Sequence, residues 1–266
     1  MMNKKFVLNA DDFGLTKFHN QAVLEGCRNG LIRSASLIVN GDAYSEAVEI
    51  SNNLSISIAV HLNIMEGKAL TNCNLLTDEK GFFNKDYLYL IINQYNKEFL
   101  KQVEQEFDAQ IRKAYNSGVN VERLDSHVHT HAIPQIFDIT CKLADKYQIQ
   151  NIRTQFERPY FCKNKNLKPI NLIKVLLLEY FTVINNKNVK KYNLKTNDYI
   201  LGVGYTGMMD TETIKNGLAH INEGFVECLI HPCKYDINRK DSHSIEYESS
   251  KDMSLKEYIQ TLGFEL

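Results

Sequence analysis

Short apolar runs of strand length alternate with longer stretches of helical period along most of the chain, the pattern of βα units wound around a parallel sheet. Seven runs read as strands, at residues 6–9, 35–40, 55–63, 121–127, 151–154, 199–203 and 225–231. Between them, Thr16 can cap a helix that runs to Asn29 with Gly30 as a left-handed stop, and a helix over 99–117 ends the same way at Gly118. Pro134 opens a helix through Tyr147, and Ser254-Leu255-Lys256-Glu257 has the spacing of a capping box for the last helix. Residues 72–95 and 234–252 are polar and poorly periodic, and read as long loops over one end of the sheet. With no internal repeat or low-complexity linker, the expectation is a single α/β domain over residues 1–266.

Composition narrows the partners. Lys and Arg number 31 against 32 Asp and Glu, a net charge of −1, which leaves no global basic field for nucleic acid or an anionic membrane. Six cysteines without a CxxC pair, in a chain too large to need staples, read as reduced thiols. The apolar run before Asp11 is too short for a signal peptide, and no run approaches the roughly 20 residues of a membrane span, so a cytoplasmic protein is expected.

Polar clusters fall where the strand-like runs stop. Asn9-Ala10-Asp11-Asp12-Phe13-Gly14 follows Phe6-Val7-Leu8; adjacent side chains diverge, so one Asp can ligate a metal while the other serves as a general base. The same residues also read as an Asx turn into the helix at Thr16. His61 ends its run and, alone, suits a structural role as well as a ligand. His127, His129 and His131 alternate after Asp125-Ser126. On an extended strand, His127 and His131 stand roughly 13 Å apart, so one metal cannot hold all three. His231, before Pro232, can act as an acid or a structural residue; Cys233 reads as a small apolar residue and not as a thiol nucleophile. His19, His220 and His243 lie in amphipathic or polar stretches and read as solvated surface. In a βα barrel these strand ends converge on one face, where Asp12, His61 and His127 form an Asp-His-His set.

The ordered set Asn9-Ala10-Asp11-Asp12-Phe13-Gly14, His61, Asp125-Ser126-His127-x-His129-x-His131 and His231-Pro232 resembles the YdjC-like carbohydrate deacetylases across nearly the whole chain. The resemblance implies an irregular seven-stranded (β/α) barrel, TIM-barrel-like and related to the polysaccharide deacetylases. It implies a homodimer and a divalent metal, Mg2+ first, although two imidazoles also suit Zn2+. The implied substrate is the N-acetylglucosamine unit of short chitin-type oligosaccharides. Carried onto this chain, the resemblance makes Asp12, His61 and His127 metal ligands, Asp11 the base and His231 the acid. His129 is the second choice of acid; His129, His131 and Arg153 face substrate, Arg153 alternatively holding Asp11. Cys233 and Lys234 depart from the family pattern at the substrate end. The competing readings are a metal-dependent phosphoesterase, against which stand too few ligands for a two-metal site, and a non-catalytic sugar-binding protein, against which stands the retention of both Asp11 and Asp12.

Overall fold

The computed structural model describes residues 4–162, 165, 167–235 and 241–266; residues 236–240 of the expected last loop lie outside them. All seven expected strands are present: β1 (Lys4–Phe13), β2 (Ile32–Leu37), β3 (Ser57–Leu62), β4 (Val121–Ser126), β5 (Asn151–Ile152), β6 (Tyr199–Leu201) and β7 (Gly224–Ile230). They pair in parallel in the order β5-β4-β3-β2-β1-β7-β6, a sheet curled into a half-barrel. Its two edges meet through backbone bonds outside the strands: Ile152 N–H donates to Lys195 O, Lys195 N–H to Gln150 O, and Ile200 N–H to Phe156 O. The helices are α1 (Lys17–Asn29), α2 (Tyr44–Asn52), α3 (Tyr87–Asn93), α4 (Lys97–Asn116), α5 (Pro134–Lys146), α6 (Pro169–Lys191), α7 (Thr211–Leu218), α8 (Ser242–Ser249) and α9 (Met253–Thr261). Among the described residues no helix is long and apolar enough to cross a membrane.

The two-residue period of the strands sorts the interior from the helix-facing core. Phe6, Leu8 and Ala10 of β1, Val60 and Leu62 of β3 and Leu124 of β4 join Phe99, Val103, Phe107 and Ile111 of α4 in one buried apolar cluster. Each such large side chain contributes about 1.5–3 kcal/mol by burial. The alternate positions point into the barrel, and they are polar: Asn9 and Asp11, Ser34 and Ser36, His61, Arg123 and Asp125, and Glu227 are all buried. An apolar filling is the rule for such barrels. Here the filling is a charged network, so every polar atom inside needs a partner.

Several elements differ from expectation. The expected loops hold α3 and α8, the latter closed by a reciprocal cap between Asp241 and Ser244. The chain leading into the first loop is fastened by the buried Glu106 of α4, which accepts from the Leu70 and Thr71 N–H groups and the Thr71 hydroxyl. The cap of α9 is Asp252, accepting from Ser254 N–H, so Ser254 lies inside the helix instead of capping it. Gly118 takes the expected left-handed backbone, φ +81, whereas Gly30 has φ −143. Gly30 is small for another reason: a Cβ there would stand 2.3 Å from Ser250 O. Helix α6 escapes a periodicity search because it is apolar on both faces, with Val175, Leu178 and Phe181 buried and Ile170, Ile173, Leu176, Tyr180 and Val183 exposed.

The turn from β1 into α1 sets the mouth of the barrel. Gly14 has φ +90, and a Cβ on it would meet Ile38 O at 2.8 Å; its N–H donates to Asn20 Oδ1 at 2.8 Å. Gly14→Ala is expected to lower stability by about 1–3 kcal/mol. Urea unfolding checks this: an unchanged midpoint would mean that the turn tolerates a side chain.

Candidate active site

Asp11 and Asp12 do opposite things because the strand bulges between them. The β1–β2 register shifts between Ala10 and Phe13, and Asp12 takes φ +64, a left-handed backbone that aspartate tolerates better than most residues. Asp11 therefore points inward along the barrel, while the Asp12 carboxylate turns to the histidines. His127 Nδ1 lies 2.9 Å from Asp12 Oδ1 and His61 Nε2 lies 3.6 Å from the same oxygen. His61 is oriented by a 2.7 Å bond from Nδ1 to Asp125 Oδ1, which leaves Nε2 facing the aspartates. Glu66, half-exposed on the loop after β3, reaches His127 Nε2 at 3.4 Å.

Arg153 governs Asp11. Its guanidinium donates from Nη1 to Asp11 Oδ2 at 2.9 Å and from Nη2 to Asp11 Oδ1 at 2.8 Å, and also from Nε and Nη2 to Glu227 Oε1. Asn9 donates to Asp11 Oδ1 at 2.7 Å. Burial alone would raise the Asp11 carboxyl, but Arg153 and then His61 hold it well below the usual carboxylate range. Burial likewise works against Asp125, and Arg153 with His61 brings it down to about 2. A second guanidinium, Arg123, donates to Asn9 and lies 3.1 Å from Glu227 and 3.4 Å from Asp125.

His231 stands at the end of β7 with a partner that the sequence reading missed. Glu246 of α8, fully buried, accepts from the His231 N–H at 2.6 Å and lies 3.4 Å from His231 Nδ1. Its other oxygen accepts from the N–H groups of Gly207 and Met209. Burial would lower the imidazole, yet the hydrogen bond and charge of Glu246, followed by Asp12 and Asp11, push it up to about 9. His19 and His243, expected on the surface, are drawn in beside it. His243 Nδ1 bonds His231 O at 2.8 Å and its ring meets His19 edge to face at 5.9 Å. Burial brings His19 down to about 4. Only His220 keeps the exposed position expected of all three.

The alternating histidines are not a strand. The chain leaves β4 at Ser126, and residues 127–132 form a short 3-10 turn in which Val128 and His129 take φ +52 and +58. The three imidazoles consequently point in different directions. His131 Nδ1 sits 2.5 Å from Ser126 Oγ and its Nε2 lies 3.0 Å from Arg153 O, so both nitrogens are engaged inside the protein. His129 is buried, with Nδ1 lacking a hydrogen-bond partner among the described residues. Burial and then the charges of Lys174 and Arg153 keep it well below the ordinary imidazole range. Arg153 has no exposure and lies against Asp11, the second of the two positions expected of it. Cys233 is buried, and Lys234 pairs with Glu25 at 2.6 Å, which cancels much of the charge expected at that end of the site.

Asp12, His61 and His127 are a group that could hold one divalent cation. Ligand atoms about 2.1 Å from a common metal lie roughly 3–3.5 Å apart, and one potential ligand atom from each of these side chains falls within 4.8 Å of the others. The guanidinium groups of Arg123 and Arg153 are met by the carboxylates of Asp11, Asp125 and Glu227, which leaves the buried Asp12 carboxylate to the histidines, and added positive charge beside it is favourable. A second group, Asp11 with His61 and Asp125, meets the same distance criterion. It shares His61, and its carboxylates are bonded to Arg153 and to His61 Nδ1, so among the described residues no separate donor set remains for a second metal.

Comparison with known proteins matches the family model described as YdjC-like protein to residues 5–261. The chain belongs to the YdjC-like family. A carbohydrate deacetylase from Thermoanaerobacter pseudethanolicus is 26% identical over 264 residues, covering 97% of this chain and 93% of that protein. Carbohydrate deacetylase 1 of Listeria innocua is 35% identical over 148 residues, 54% of this chain and 59% of its own length. Among solved structures, an Enterococcus faecalis V583 protein named for cellobiose-phosphate cleavage superposes with TM-score 0.76 at 25% identity, covering 99% of this chain and 97% of that one. A lactam utilization protein from Thermus thermophilus, at TM-score 0.50 and 12% identity over 98% of each chain, shares the fold. In this YdjC-like chain the motif residues from β1, β3, β4 and β7 all lie at one end of the half-barrel.

The raised His231 value carries a sign. A histidine whose folded-state pKa exceeds its unfolded value adds stability that is full below about 6.5 and is lost as pH rises through about 9. Glu246→Gln is expected to bring the His231 titration, followed by NMR, back toward the ordinary imidazole value. A titration that stays near 9 would assign the shift to Asp11 and Asp12.

Proposed function

We propose that this YdjC-like protein is a carbohydrate deacetylase, a single domain of residues 1–266 that hydrolyses the N-acetyl group of N-acetylglucosamine units in short chitin-type oligosaccharides. Asp12, His61 and His127 hold a divalent metal, with Mg2+ preferred over Zn2+, Asp11 is the general base and His231 the general acid. What supports the reading is that Asp12, His61 and His127 stand close enough to share a cation at one end of the barrel, beside Asp11 held by Arg153 and His231 held by Glu246. A sugar-binding protein has no need of such an acid and base pair. A two-metal phosphoesterase fits less well, since Asp11 and Asp125 are taken up by Arg153 and His61.

Asp12, His61 and His127 would hold the metal, which would supply Lewis acidity toward water and the acetamide carbonyl. Asp11, kept ionised by Arg153, accepts a proton from the attacking water as its oxygen bonds to the acetyl carbon. Its low basicity is the cost of that fixed orientation. As the carbon–nitrogen bond breaks, His231 gives its proton to the sugar nitrogen, which leaves as an amine together with acetate. Glu246 holds the imidazolium in the charged form needed for that step. His129, kept neutral by burial and by Lys174, is a poorer acid. Of the three residues assigned to substrate, His129 keeps a ring nitrogen without a partner among the described residues, while His131 and Arg153 serve as supports.

Metal-stripped protein reloaded with each cation is expected to release acetate from di- and tri-N-acetylchitooligosaccharides. Asp11→Asn should lower the rate by about 10²–10⁴ with metal still bound, whereas His61→Ala should lose the metal as well. No acetate from any of these substrates under any cation would retire the deacetylase reading; Asp11→Asn within a few-fold of wild type would retire the base assignment.

A further inference from the structure

If His231 protonates the departing sugar nitrogen, the remainder of the saccharide lies along the surface beyond His231. A cavity of about 420 Å³ lies between the start of α1 and the segment after β7, lined by Lys17, Phe18, Gln21, Glu46, Lys234 and Tyr235. It is joined to the acid by a chain of neighbours. Phe18 adjoins His19, the His19 ring packs on His243, and His243 bonds the His231 carbonyl. The Lys234 N–H donates to Phe18 O at 3.1 Å and fixes the two walls to each other.

The walls have the chemistry of a neutral polyol site. The Phe18 and Tyr235 rings stand 5.7 Å apart at 47°, and Tyr235 is hydrogen-bonded to Cys233 and Asp241, which anchors its ring. Aromatic rings offer a large, rigid apolar face at little entropic cost, suited to the C–H face of a pyranose. The surrounding charges are largely matched among themselves. Lys234 and Gln21 donate to Glu25, Asn20 donates to Glu46, and the Lys17 ammonium lies 5.0 Å from the Phe18 ring centre. A ligand here meets donors and acceptors of both kinds and no strong field of one sign. The volume lies within the about 300–1,000 Å³ usual for small-molecule sites.

We propose that Phe18 and Tyr235 form a subsite for a neutral pyranose unit, the one adjoining the sugar whose nitrogen meets His231. This inference rests on the deacetylase reading for its choice of ligand.

The test uses di-N-acetylchitobiose with the full chain. Phe18→Ala is expected to raise KM roughly three- to tenfold with kcat changed by less than about twofold, the loss of one stacking contact. Phe18→Leu, which keeps apolar volume but no ring, should shift KM in the same direction and covers the case in which the alanine variant is unstable. In parallel, the Kd of the disaccharide for metal-stripped protein is measured by NMR, and both variants should weaken it. Binding that depends on the ring without acetate release would uphold the subsite and retire the deacetylase reading. Acetate release with KM and Kd unmoved, a loss confined to kcat, or no binding to the wild type at millimolar disaccharide would overturn the subsite.

Discussion

Arg153 has no solvent exposure, and its guanidinium donates to Asp11 from β1 and to Glu227 from β7 while lying 3.0 Å from Asp125 of β4. A buried guanidinium is tolerable only when its charge is met on the spot, and the partners must then stay where they are. Those partners are on strands that belong to the two sides of the sheet. The contact thus ties the arms of the half-barrel across its interior, where the short β5 and β6 leave little backbone pairing. Burial of an ionic network of this kind is weak evidence for stability, yet loss of any member strands the others in low dielectric.

From that contact follows the distinction between two consecutive aspartates. Identical in sequence, they differ because a bulge rotates the second out of the interior and toward His61 and His127. The first remains fixed by arginine and asparagine. At the end of the neighbouring strand β7, Glu246 does for His231 what Arg153 does for Asp11, each supplying an unlike charge that fixes a protonation state. The site is therefore built as two oriented ion pairs on adjacent strands beside an Asp-His-His set.

Strand positions were legible because apolar runs ended abruptly in polar residues, and the barrel architecture follows from that rhythm. The strand-end residues Asp11, Asp12, His61, His127 and His231 were legible for the same reason. The geometry of 127–132 was not, since nothing in Val128 or His129 announces a left-handed backbone; it is imposed by Ser126 and His131 closing on each other. Glu246 was hidden in a polar stretch whose helix is only eight residues long. His19 looked solvated because it sits among the polar residues of α1, of which it and Asn20 are buried while Lys17, Gln21, Arg28 and Asn29 stay exposed. Arg123 and Glu227 did leave a signal, charged residues at inward positions of otherwise apolar strands, and a barrel filled with charge is what that signal meant.

The bonding of β1 has a consequence for how the molecule comes into being. This strand is synthesised before every other, yet it pairs with β7, the last, and backbone bonds run from Phe6 N–H to Glu265 O and from Glu265 N–H to Lys4 O. Asp11 meanwhile waits for Arg153, and His231 for Glu246. During synthesis the charged interior has no complete set of partners until β7 and α8 have emerged, so an early collapse would trap unmatched carboxylates in an apolar surrounding. Closing the sheet and matching the buried charges of the site therefore depend on the same contacts of long sequence separation, the kind that slows folding.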